Sequence, residues 1–273
     1  MLTGELGTGL TLLHEHSNKL DDSVRALNET RQRRGQRILE NLVSEEAAKY
    51  LILLDAARCG KKRTDAFSRH LKAFIDHIAR GVYASLAGTW HQTYKSFRLY
   101  VEKSLKTLYL DGPNGVDWIF RNEIESTREE ALYVDYVETE DGRGWHTPAQ
   151  YEKILGNEDY DTPHTPPRIM QIVNALHVIG IGDPRAIEVL ADVWRSVEVD
   201  DSFSDAELQT LNEKVLETLS ERHLLLDDTA PIRDEVIKGW FFPLYPIDLV
   251  TKASREVNVN DLKAARECSD LEY

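Results

Sequence analysis

The 25 residues Arg34–Arg58, RGQRILENLVSEEAAKYLILLDAAR, constrain the fold more than any other stretch of the chain. On a helix turning about 100° per residue, Leu39, Leu42, Val43, Tyr50, Leu53, Leu54 and Ala57 share one stripe, with Glu46 in its middle. A carboxylate aimed into an apolar seam needs a basic or hydrogen-bonding partner there, because an isolated buried charge is too costly. Glu46 is therefore either a structural pairing residue or part of a site. Glu45 and Lys49 lie on the flank of the stripe, four apart in the favourable order, which an ordinary surface ion pair also explains.

A chain of 273 residues with 41% hydrophobic residues can bury a substantial core, as one large domain or two ordinary ones. Two widely separated cysteines, Cys59 and Cys268, point to a reduced, cytoplasmic protein and not to a disulfide scaffold. The sequence shows neither a leader with a basic n-region nor an apolar run of about 18 residues, so no membrane association is expected. The net charge of −14 argues against a nucleic-acid partner, but the charge is unevenly placed. Through Leu110 there are 18 Lys+Arg against 12 Asp+Glu, and after it 15 against 35. A basic first part joined to an acidic second part fits an electrostatic role or simple solubility.

Leu13, Leu20, Val24 and Leu27 predict an amphipathic first helix over about 12–31, with a break at Gly35 and the Glu46 helix ending near Cys59-Gly60. The third helix is expected over about 64–83, with Phe67, Leu71, Phe74, Ile75, Ile78 and Val82 inward. Arg63, His70 and His77, seven apart, form a column at its edge, a candidate site if it faces Glu46. A packed histidine is the bland alternative. Helix is further expected over about 90–110 and 116–132, the latter carrying Arg121, Asn122 and Arg128. DGPNG between them is a turn. YVDYVE followed by TEDGRGW predicts a short extended piece or hairpin.

GNEDYDTPHTPP, residues 156–167, cannot continue a helix and divides the chain into a bundle domain (1–155) and an acidic helical domain (168–273). The latter should hold helices over about 168–180, 184–197, 204–225 and 231–240. Ser204-Asp205-Ala206-Glu207 has capping-box form, and Asp183-Pro184 that of an N-cap with proline at the first position. GWFFPLYPIDLV reads as a strap over a core or a contact surface. No Walker loop, dinucleotide fingerprint, CxxC, HExxH or nucleophile elbow is present, and no cofactor or metal is expected. The fold class read from these patterns is all-α, a helical bundle with a small extended appendage and a C-terminal helical region.

ENLVSEEAAK, RHLK and TREEALYVDYVETEDGRGWHTP together resemble the AbiV-type abortive-infection proteins of the HEPN superfamily, over about residues 18–148. The resemblance maps recurring features onto Glu45, Glu46 and Lys49, and onto Arg128, Leu132, Tyr133, Val134 and Asp135. It implies an antiparallel α-bundle that dimerises, acts on RNA without a metal ion in phage defence, and has phage or antitoxin proteins as further partners. The superfamily's Arg-then-His signature is met here only by Arg63 and His70; Arg121-Asn122 resembles its opening, but no histidine follows. In such a ribonuclease His70 or His77 would move the proton, Arg63 or Arg128 would stabilise phosphorane charge, and Glu46 would orient a partner. Lys49, Arg121, Asn122 and Tyr133 would contact RNA. The competing expectation is a non-catalytic interaction protein, a phage sensor or antitoxin-like partner. In a third, the acidic half inhibits by covering the basic bundle.

Overall fold

The computed structural model describes residues 3–59, 64–105, 108–110, 118–120, 132–139, 142–148, 163–250 and 255–256. It is mostly helical. Two long helices, α1 (Thr3–Glu29) and α2 (Arg33–Cys59), are joined by three residues. So short a link between helices that pack on each other makes an antiparallel hairpin. The corner is at Arg31, which takes a left-handed φ of 57°, and Arg31 and Gln32 donate their backbone N–H groups to the Asn28 and Leu27 carbonyls. The break therefore precedes Gly35, which lies inside α2 and gives Leu27 room: a Cβ there would meet Leu27 Cδ1 at 3.2 Å.

The single helix expected over 64–83 is two helices, α3 (Thr64–Leu71) and α4 (His77–Leu86), separated by a 3-10 turn at Lys72–Phe74. Asp76 causes the restart: its side chain accepts the Ala79 N–H at 2.8 Å and caps α4. Helix α5 (Tyr94–Ser104) begins at Thr93 with a capping box formed with Ser96. The helix expected to reach residue 110 stops earlier. Leu108–Leu110 is strand β1, antiparallel to β2 (Trp118–Phe120) where a fourth helix was expected to start. The rest of that expected helix lies outside the described residues. Strands β3 (Asp135–Thr139) and β4 (Gly142–His146) pair antiparallel, Tyr136 opposite Trp145, as the alternation predicts.

Four helices follow: α6 (Arg168–Val178), α7 (Pro184–Trp194), α8 (Asp205–Glu221) and α9 (Ala230–Gly239). Asp183 and Ser204 cap α7 and α8 as their sequences predict, the latter in a full capping box with Glu207. Buried Asn212 of α8 donates to the Val236, Ile237 and Trp240 carbonyls, occupying acceptors at the end of α9. The chain then runs as a strap, burying Trp240, Phe242, Leu244, Tyr245, Ile247 and Leu249. After it β5 (Arg255–Glu256) joins β1 in parallel.

The helices after residue 167 do not sit apart from the first five. Helices α6 and α7 pack on α1 and α2, and one hydrophobic core runs from Leu6 to Leu249. The start of α8 is tied to that of α5: Thr93 and Ser204 form a β-bridge, and Tyr94 N–H donates to the Phe203 carbonyl at 2.7 Å. Residues 168–249 thus complete the bundle and are no detachable cover over it. Among the described residues no helix is long and apolar enough to cross a membrane.

Candidate functional site

Helix α2 meets α4 along one flank, and there Glu45, not Glu46, is the buried acid. Glu45 Oε2 lies 3.0 Å from His77 Nδ1 and 3.2 Å from Arg80 Nη2, both on α4 and one turn apart. The Glu45 and Arg80 side chains are 10% and 8% exposed, whereas His77 is 54% exposed. Arg80 is further anchored by its Nε–H, which donates to the Asp76 carbonyl at 3.3 Å. Its Nη2 also lies 2.7 Å from His77 Nδ1. Nδ1 cannot both donate to Glu45 and accept from an arginine. In the Nδ1–H tautomer the imidazole donates into Oε2 beside the guanidinium; in the Nε2–H tautomer Nδ1 accepts from Arg80 Nη2 instead. Both contacts are made by Nδ1, and in the first tautomer Nε2 carries the lone pair on a ring that is more than half exposed.

Glu46 pairs one turn along its own helix with Lys49, at 2.5 Å, both side chains being less than one-fifth exposed. Lys49 Nζ also lies 5.6 Å from the centre of the Phe74 ring. The partners expected from sequence are thus exchanged: Glu46 takes Lys49, and Glu45 takes the basic groups of the neighbouring helix. The reason is that α2 is enclosed on more than one stripe, since α1, α3, α4, α6 and α7 all pack on it.

His70 is not beside His77. The restart at Asp76 breaks the seven-residue column, and His70 turns inward at 2% exposure, its Nε2 3.1 Å from the Tyr83 hydroxyl. Burial lowers its pKa from the ordinary histidine value, partly offset by Asp55. His70 therefore cannot meet a substrate in this fold, which removes it as the proton-transfer residue. Arg63, Arg121, Asn122 and Arg128 lie outside the described residues. Tyr133 is 53% exposed and makes no hydrogen bond to the His77 group.

A second charged group, missed in the sequence, lies one helical stretch further along α2. Asp55 accepts from Arg58 Nη1 at 3.0 Å, Tyr83 Oη–H at 2.7 Å and Leu244 N–H at 2.8 Å. Arg58, fully buried, also donates to the Phe241 carbonyl at 3.2 Å, and its guanidinium carbon lies 3.3 Å from the Trp240 ring centre and 4.8 Å from that of Trp194. Burial pushes its pKa down to about 10 against the pull of Asp55. Burial likewise raises the Tyr83 pKa. The signal for this group was present: Asp55 is the one charge between Tyr50 and Ala57. Its partners come from α4 and from the strap nearly 190 residues away, so no local pattern names them.

Among the described residues no group of three or more His, Cys, Asp or Glu side chains is arranged to hold a metal ion. No family model, curated protein or solved structure matches the chain.

Proposed function

We propose that this protein is an RNA-cleaving effector of the abortive-infection type, with His77 as its proton-transfer residue. The observation that carries this reading is the Glu45–His77 pair: a carboxylate held in the bundle fixes one imidazole nitrogen and leaves the other at the surface. Imidazole titrates near neutral pH and suits both removal and return of a proton. In the proposed step His77 Nε2 takes the proton of a ribose 2′-OH as the 2′ oxygen bonds to phosphorus. The bond to the 5′ oxygen then breaks, and the imidazolium returns the proton to that leaving oxygen. The products are a 2′,3′-cyclic phosphate and a 5′-OH. Glu45 acts as a positioning residue that holds the tautomer. Among the described residues Arg80 is the cation beside the ring; enclosed at 8% exposure, it would favour charge building on the phosphate from beneath the imidazole and not by contact. The resemblance of ENLVSEEAAK and the YVDYVE region to AbiV-type proteins supports the same reading, together with cytoplasmic action, metal independence and a homodimer.

The test is incubation of the purified full chain with total RNA in EDTA. Cleavage leaving cyclic phosphate ends, lost in His77→Ala, is the expected result; intact RNA at high protein excess overturns the reading. A second reading, a non-catalytic interaction protein in phage defence, draws on Ile75, which is 79% exposed two residues before His77. Intact RNA together with a partner lost on Ile75→Asp would establish it.

A further inference from the structure

His14, Asn18 and Asp21 recur on one face of α1 at spacings of four and three. Facing them are His164, just before α6, and Asn174 and His177 on α6 itself. The His14 and His177 rings stack, with centres 3.6 Å apart and planes 13° apart. Tyr50 of α2 meets His177 edge-on at 6.4 Å. His14 Nε2 lies 2.9 Å from Asn174 Oδ1 and 3.0 Å from Asn18 Nδ2. Both rings are partly buried, so each is a joint between α1 and α6 and not a loose surface group.

Two neutral imidazoles stack with no electrostatic cost. One proton on the pair is tolerable, because Glu15 is close enough to favour it on either ring. A second proton places two positive charges at stacking distance in a partly desolvated joint. Among the described residues the titratable groups acting on the pair are Glu15 from α1 and Tyr50 from α2, and Tyr50 stays neutral because burial raises its pKa. We propose that the His14–His177 stack is a proton-operated clamp: it holds α6 to α1 while neutral and releases that end of the interface when both rings are protonated.

Burial lowers the pKa of both histidines, and His14 lowers that of His177 further, so the second proton enters the pair at a lower pH than an ordinary histidine takes it up. The release is local. Seven residues further along α1 from His14, Asp21 lies 2.8 Å from His164 Nε2, whose Nδ1 lies 3.7 Å from Glu40, a tie between α1 and the segment entering α6 that holds no second imidazole. The repulsion between two charged rings is thus confined to the His14 end of the α1–α6 joint. Nothing in this clamp depends on RNA cleavage.

The test is amide hydrogen exchange of the full chain at pH 7.5 and 5.5, corrected for intrinsic exchange, beside an NMR titration of ring-labelled histidine. Protection around residues 10–14 and 174–178 is expected to fall at least about fivefold in the wild type on acidification. It should stay level in His177→Phe, which keeps a stacking ring without a charge. His14→Gln, uncharged and able to bond Asn174, serves as a second variant should the first not fold. The two wild-type rings should titrate in coupled steps. Unchanged protection in the wild type, or an equal loss in the uncharged variants, overturns the clamp.

Discussion

Helix α2 carries two carboxylates ten residues apart, about 15 Å along its axis, each paired with an arginine, and the two pairs are built for opposite ends. Asp55 and Arg58 are sealed, with side chains 2% and 0% exposed, and every bond they make goes to the scaffold: to each other, to Tyr83, and to Phe241 and Leu244 of the strap. Glu45 and Arg80 are nearly as deep, but they hold an imidazole that is more than half exposed. A closed pair of this kind fixes how the chain folds over α2. An open one stores the same electrostatics beneath a group that can still meet another molecule. The depth of a charge is thus a poor guide to its role, and what it holds at the surface is a better one.

The largest effect expected from this contrast is on the sealed pair. Asp55→Ala strands a buried guanidinium, the Tyr83 hydroxyl and the Leu244 N–H, and should cost about 3–5 kcal/mol in urea unfolding; a loss under about 1 kcal/mol would erase the distinction. Glu45→Gln removes a charge from the open pair, where His77 can turn to water. It should cost about 1–2 kcal/mol and reduce RNA cleavage through a shifted pH profile. An unmoved profile would deny Glu45 its positioning role.

The pH dependence of stability separates the two groups further. Burial lowers the folded-state pKa of His70, so below the unfolded value of 6.5 the unfolded chain binds more protons than the folded one. Stability from this group is therefore complete above that pH and declines as the pH falls toward the folded value, by at most about 1.4 kcal/mol per pH unit. His70→Phe should flatten the slope measured between pH 6.5 and 5; an unchanged slope would place the titration elsewhere. The smallest effect belongs to the partly exposed Glu46–Lys49 pair. Lys49→Ala should shift unfolding by about 0.2–1 kcal/mol, and a larger shift would give that pair a share of the core.

Much of the fold was legible because its signals are local. The apolar stripe of α2, the Asp183-Pro184 start, the Ser204 capping box and the strap all follow from residues within a turn or two. The apolar stripe over 64–83 hid the break at Asp76, because apolar residues recur straight through it in the sequence; at the 3-10 turn Ile75, read as inward, is turned out to 79% exposure, and the side-chain cap restarts the helix. Glu45 and Glu46 are adjacent on α2, and only the approach of α4 decides which of them is enclosed. The Asp55 group needed the strap, whose place over α2 is set by long-range packing.

The contrast between an open and a sealed group is tested most directly by comparing His77→Ala with His70→Ala for metal-free RNA cleavage and unfolding midpoint in the same preparation. His77→Ala should abolish cleavage and leave the midpoint within the effect of an ordinary surface change, about 0.5 kcal/mol. His70→Ala should lower the midpoint and keep the cleavage rate of its folded fraction. Full activity in His77→Ala, or loss of activity in a fully folded His70→Ala, would contradict the account.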